Sequence, residues 1–166
     1  GRLSTFVPVN DRSGIDLGLS ATQGTNNVAA GTRTTVFGGD IKAKLWNSPN
    51  SYVVVQGEVL RLDRENAGWN DVAATYTKSH VRPLGGYVYA DYNFALRYNA
   101  GGSFERWQQP ATDTPWNQAV GVFAGFALLE ETTAFRIDWN HMQAARPAGA
   151  AADPPTVDVV TLRVVY

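Results

Sequence analysis

Cysteine is absent from this 166-residue chain, which excludes disulfides and any cysteine-based metal site. Charge is also scarce: Asp, Glu, Lys and Arg make up 17% of the sequence, against about 25% in ordinary soluble domains. The 14 basic and 15 acidic residues nearly cancel, leaving a net charge of −1 and no electrostatic case for nucleic acid. No apolar run reaches the roughly 20 residues of a membrane-crossing helix. The longest, Ala119 to Leu129 (AVGVFAGFALL), is broken by Gly121 and Gly125 and has the length of a strand crossing a barrel wall. His80 and His141 are the only histidines, and neither has a second histidine at ligand spacing, so no metal site is expected. The few serines stand in no nucleophile-elbow pattern, and GGY and AGGS precede no helix that would make a phosphate loop. Neither a catalytic constellation nor a cofactor site is expected, and the chain reads as a non-enzyme.

What the sequence does have is alternation. Eight stretches place apolar and polar residues with period two, the spacing of a strand with unlike faces. The first is Gly14 to Gln23, and the second runs from about Thr34 to Trp46. In the second, Phe37, Ile41, Ala43 and Leu45 oppose Asp40, Lys42 and Lys44, the sharpest division in the chain. WNSPNS is then a tight turn. The third stretch starts near Tyr52 and sets Val53, Val55 and Val59 against Gln56 and Glu58. Its phase slips at Val59 and Leu60, where a β-bulge is predicted. A long polar segment, about Arg64 to Val81, precedes the fourth stretch, which holds Asp91. The fifth sets Arg97 and Glu105 against Tyr98 and Phe104. The sixth surrounds Val120 to Leu128, the seventh alternates Phe135, Ile137 and Trp139 with Arg136 and Asp138, and the eighth is Thr156 to Tyr166, with Arg163.

Connections between these stretches run alternately long and short. Antiparallel neighbours put alternate connections at opposite ends, so all long ones gather at one rim. Short periplasmic turns and long outer loops are the habit of bacterial membrane barrels. Charge then chooses the faces. A Lys or Arg against lipid costs about 2–4 kcal/mol near the midplane. In a membrane, Asp16, Asp40, Lys42, Lys44, Gln56 and Glu58 must therefore face the lumen. The same holds for Asp91, Arg97, Glu105, Arg136, Asp138 and Arg163. Tyr98, Phe104, Phe135, Trp139 and Tyr166 are suited to the headgroup level as interfacial aromatics. Five basic side chains along the lumen suggest an anion-selecting ladder, but the carboxylates interleaved among them favour cross-strand ion pairing. A soluble lipocalin-like barrel is the inverse solution, with charges outside and valines within.

The segments IDLGLSATQGTNN, TVFGGDIKAKLW and SYVVVQGEVLRLDRE resemble the C-terminal half of bacterial outer-membrane porin-like proteins. These are the zinc-regulated outer-membrane receptors, distantly akin to phosphate-selective porins. The likeness is carried by Gly18, Gly39, Asp40, Trp46, Gln56, Gly57 and Glu58, with GGYVYADYNF and FRIDWNH in comparable places. It implies an outer-membrane solute channel and supplies no catalytic or metal residue. Such proteins are much longer than this chain. Residues 1–13 thus read as the tail of a preceding segment, and the chain, which opens on Gly1, reads as mature, processed or partial.

The expectation is an all-β, antiparallel, up-and-down transmembrane β-barrel of eight strands, one domain over residues 1–166, whole or part of a larger barrel. Its partners would be the lipid bilayer, small polar solutes and other chains completing or surrounding the barrel. A small closed barrel with a structural or adhesive role is the second possibility. Eight strands leave an interior just filled by side chains, whereas about 16 leave a water channel.

Overall fold

A computed structural model describes residues 1–110, 115–129, 133–146 and 154–165. It holds ten β-strands and, among the described residues, no helix. They are β1 (Arg2–Pro8), β2 (Gly14–Asn27), β3 (Thr32–Ser48), β4 (Ser51–Asn70), β5 (Thr75–Val81), β6 (Leu84–Phe94), β7 (Tyr98–Gln108), β8 (Trp116–Leu129), β9 (Thr133–Gln143) and β10 (Thr156–Val165). All belong to one antiparallel sheet in the order β1-β2-β3-β4-β6-β7-β8-β9-β10, with β5 beside β4. β5 and β6 pair successive parts of β4, so they share one position in the order, interrupted at Arg82–Pro83. Pro83 has no N–H for the ladder, yet its carbonyl accepts from the Leu62 N–H at 3.0 Å.

The eight expected strands are all present as β2, β3, β4, β6, β7, β8, β9 and β10. Two further strands correct the expectation. Residues 2–8 are no loose tail: β1 pairs β2 from Arg2↔Ser20 to Pro8↔Gly14. The polar segment after Asp63 is the far end of β4 folded back onto β5, paired from Arg64↔Val81 to Asn70↔Thr75. The predicted bulge at Val59 and Leu60 does not occur, because Gly39↔Val59, Gly38↔Leu60 and Phe37↔Arg61 stay in step. Leu60 does change face relative to Val59, and its methyl group fills the space above Gly38, where an added Cβ would lie 2.8 Å from Leu60 Cδ2. The phase slip marks a change of surroundings, not of register.

Short connections lie at one rim: Pro49–Asn50 between β3 and β4, and Ala95–Arg97 between β6 and β7. In the second, Ala95 and Leu96 both take positive φ, 53° and 56°, the handedness that matches hairpin twist. Arg97 therefore stands in a turn, not on a strand face, and its carbonyl accepts from the Ala127 N–H at 2.7 Å. At the opposite rim the β2–β3 and β4–β5 hairpins continue past the apolar zone. β4 alone, at 20 residues, extends about 65 Å, far beyond the roughly 9–11 residues a membrane strand needs. The sheet is not closed. Among the described residues, β1 pairs only β2, and β10 only β9.

Candidate functional site: the polar face

Direct cross-strand partners point to the same side of a sheet, so register assigns every face. One row reads Asp16, Lys42, Gln56, Tyr89, Ser103, Gly121, Asn140 and Val159 from β2 to β10. A neighbouring row on the same side reads Asp40, Glu58, Tyr87 and Glu105. Lys44, Asp91, Arg136, Asp138 and Arg163 stand an even number of residues along their strands from members of these rows. Eleven of the twelve polar residues singled out in the sequence therefore share one face. Arg97, in its turn, is the exception.

The opposite face is apolar and exposed. Leu19, Ile41, Val59, Val88, Val122, Ile137 and Leu162 all lie open there, while only Ala30, Ala43, Val81 and Phe123 count as buried hydrophobic residues among those described. From β6 to β10 the charge-bearing side is mostly the less accessible one, and Asp138 retains 4% exposure. Four expected interfacial aromatics project from the apolar face: Tyr98 and Phe104 bracket Ala100 and Gly102 on β7, and Phe135 and Trp139 bracket Ile137 on β9. Tyr166 lies outside the described residues. Sequence reading missed their companions Tyr92, Phe94 and Phe126, which stack in series with Tyr98 at centroid distances of 5.4–5.7 Å.

The apolar zone runs obliquely to the hydrogen-bond ladder. The row that begins Leu17, Ile41, Gly57, Val88, Phe104 and Val120 ends on His141 and Asp158. Nearer the short turns, the row Phe94, Tyr98, Phe126, Phe135 and Val164 is apolar throughout. A level band crosses ladder rows in this way when strands lean relative to it, as barrel strands do by about 35–45°.

On the polar face, β6 to β10 build a connected cluster. Arg136 Nε donates to Asp138 Oδ1 at 2.7 Å, and Arg163 Nε lies 3.4 Å from Asp138 Oδ2. The Arg136 guanidinium sits 3.6 Å over the Phe123 ring, whose other neighbour is Tyr89, stacked at 5.3 Å. Arg136 Nη1 also donates to the Tyr89 hydroxyl at 3.4 Å, and that hydroxyl donates to Asp91 Oδ2 at 3.0 Å. Asn99 Nδ2 reaches both Asp91 oxygens, at 3.2 and 3.1 Å. The stack needs Gly101, because a Cβ there would lie 2.5 Å from Phe123 Cζ and collide with the Ala90 carbonyl. Ion pairing, not a free ladder of cations, is the pattern here.

Beside this cluster is a cavity of about 540 Å³ lined by Gln56, Tyr87, Tyr89, Ser103, Glu105, Phe123, Arg136, Asp138, Asn140 and Arg163. Toward β1 the face is held differently. Arg2 Nη2 donates to Asp40 Oδ1 at 2.7 Å, crossing over β2, and Lys44 covers Trp46 and Tyr52 at 5.2 and 4.2 Å. Arg2 was hidden from sequence reading because its segment was assigned to a tail. Among the described residues no group of His, Asp or Glu is placed to hold a metal ion. His80 and His141 instead pair with single carboxylates, Asp63 and Asp158. Comparison with protein families, with curated proteins and with solved structures yielded no match.

Proposed function

We propose that this chain forms the wall of a bacterial outer-membrane β-barrel, porin-like in character, whose polar face lines a path for small polar solutes. The observation that carries the reading is the reversal of the usual burial order. From β6 to β10 the charge-bearing face is mostly the more sheltered one, and an exposed, slanted, aromatic-edged apolar band occupies the other. Against lipid the band is solvated and the charges are not penalised. A water-soluble barrel would turn the valines inward. The likeness of the Gly-Asp and QGE strands to porin-like proteins points the same way.

Strand direction bears on whether this wall surrounds a plug or a pore. The order has nine positions, so β1 and β10 run in the same direction. Direct pairing between them would make a parallel seam. An all-antiparallel barrel needs an odd number of further strands between these edges. Seven further strands would bring the wall to about 16, the count that leaves a water-filled lumen.

The test is purification with and without detergent, followed by single-channel recording in a planar bilayer. A detergent-requiring protein with discrete conductance steps is expected. Solubility without detergent would sink the membrane reading, and a membrane-assembled protein without conductance would sink the channel.

A further inference from the structure

We infer that the cavity beside Asp138 is a subsite for a neutral, polyhydroxylated solute of mono- or disaccharide size. The inference rests on the reading of the polar face as the wall of a water-filled lumen, and it names the class of solute that the wall retains.

Charge excludes the obvious alternatives. Two guanidinium groups, Arg136 and Arg163, and two carboxylates, Asp138 and Glu105, line the cavity, and their formal charges cancel. An anion would meet both carboxylates and a cation both guanidiniums, each at short range. An apolar solute would leave the polar lining without partners, which is costly in a sheltered site.

The hydrogen-bonding groups left over are of both kinds. Asp138 is 4% exposed, and its two oxygens face Arg136 and Arg163, so it balances charge beneath the cavity and leaves the solute contacts to its neighbours. Glu105 is exposed and has no ion-pair or hydrogen-bond partner among the described residues. The Tyr87 hydroxyl accepts from Gln56 Nε2 at 2.7 Å and keeps its own proton for donation. Ser103 and Asn140 converge over Gly121, where an added Cβ would lie 2.7 Å from Ser103 Oγ and 2.5 Å from Asn140 Oδ1. A hydroxyl both gives and accepts a hydrogen bond, so a polyol matches this mixed lining as no singly charged group does. The volume of about 540 Å³ lies within the range of roughly 300–1,000 Å³ usual for small-molecule sites.

The probes are sucrose, inorganic phosphate and putrescine, added in turn to the folded protein in a zwitterionic detergent that carries no sugar headgroup. Saturation-transfer NMR reads binding without requiring transport. Sucrose is expected to receive saturation from the protein, and phosphate and putrescine are expected not to displace it. Glu105→Gln and Tyr87→Phe, which spare the buried ion pair, should together weaken sucrose binding about tenfold. Sucrose signals unchanged in the double variant would overturn the site, as would displacement by phosphate or putrescine. A protein that conducts yet gives no sucrose signal overturns this inference and leaves the channel standing. One that binds sucrose but never conducts keeps the site and overturns the channel.

Discussion

Ile137 and Asp138 are neighbours on β9 and live in opposite surroundings. The isoleucine is 53% exposed and the aspartate 4%. Asp138 is enclosed by Arg136, Arg163 and the Tyr89–Phe123 stack, whereas Ile137 belongs to an open apolar band with Ala124 and Leu162 as its row partners. In water this arrangement would leave the hydrophobic effect unused and add the cost of sheltering a carboxylate. On the proposed reading the medium outside the band is itself apolar, and the arrangement becomes favourable. The two faces thus differ less in what they contain than in which solvent each requires.

The most forceful way to break that comparison uses two more neighbours, Val159 and Val160, which lie on the polar and apolar faces at 47% and 67% exposure. Val160→Arg is expected to cost about 2–4 kcal/mol of stability in the membrane. Val159→Arg should change it by no more than about 0.5 kcal/mol. Urea titration of vesicle-inserted protein, read as the fraction retaining folded mobility on a gel, measures both. Equal tolerance of the two changes would mean that the faces meet the same solvent.

A smaller effect should follow from opening the sheltered face. Asp138→Ala leaves Arg136 without its 2.7 Å partner and Arg163 without its carboxylate. Removing one member of a fully enclosed ion pair costs about 3–5 kcal/mol, but Arg163 is largely exposed, so about 2 kcal/mol is expected here. The same urea series gives the value, and a change below about 0.5 kcal/mol would show that the cluster contributes little.

The smallest expected effect lies beyond the apolar band, at an ion pair whose members are both partly exposed. Asp63 accepts hydrogen bonds from His80 and, at 3.1 Å, from Arg82 Nε, fastening β4 to the β5–β6 break. The His80 hydrogen bond, reinforced by the charges of His80 and Arg82, holds the Asp63 carboxyl below its ordinary value of 3.8. A carboxylate whose folded-state value is lowered stabilises the fold above its ordinary value and loses that contribution as pH falls through the lowered one. The acid transition of the Asn66 and Ser79 amide NMR signals should therefore fall below about pH 4. Asp63→Asn should abolish that transition. An acid transition that persists in Asp63→Asn would contradict the assignment to this carboxyl.

Faces were legible in the sequence wherever one side of a strand is apolar and the other carries charge. Lys42 and Lys44 alternating with Ile41, Ala43 and Leu45 leave a single consistent arrangement, and the ladder has it. Past the band that signal vanishes although the hydrogen bonds continue, because neither side of these strands is uniformly apolar. This is why Glu65 to Asn70 and Thr75 to Val81 read as loop while pairing residue for residue. β1 was obscured for a related reason: its polar side carries Phe6 and Pro8, and its apolar side carries Thr5. The aromatic members of the sheltered cluster, Tyr89 and Phe123, stack on the polar face, and nothing in the alternation signals that stack. That stack depends on Gly101, a residue whose contribution is space. Closure was not legible at all, since it depends on what lies beyond two edges.

The nine-position order also gives the sheet a sidedness that an even order lacks. β1 and β10 both run from the side of the long hairpins toward the side of the short turns, so on the proposed reading Leu3 and Val164 lie toward opposite sides of the wall. Fluorophores on cysteines introduced at Leu3 and Val164 would then sit near opposite surfaces of a vesicle. A quencher unable to cross the bilayer would reach one and spare the other, and the direction in which this wall is threaded could be read from a single pair of labels.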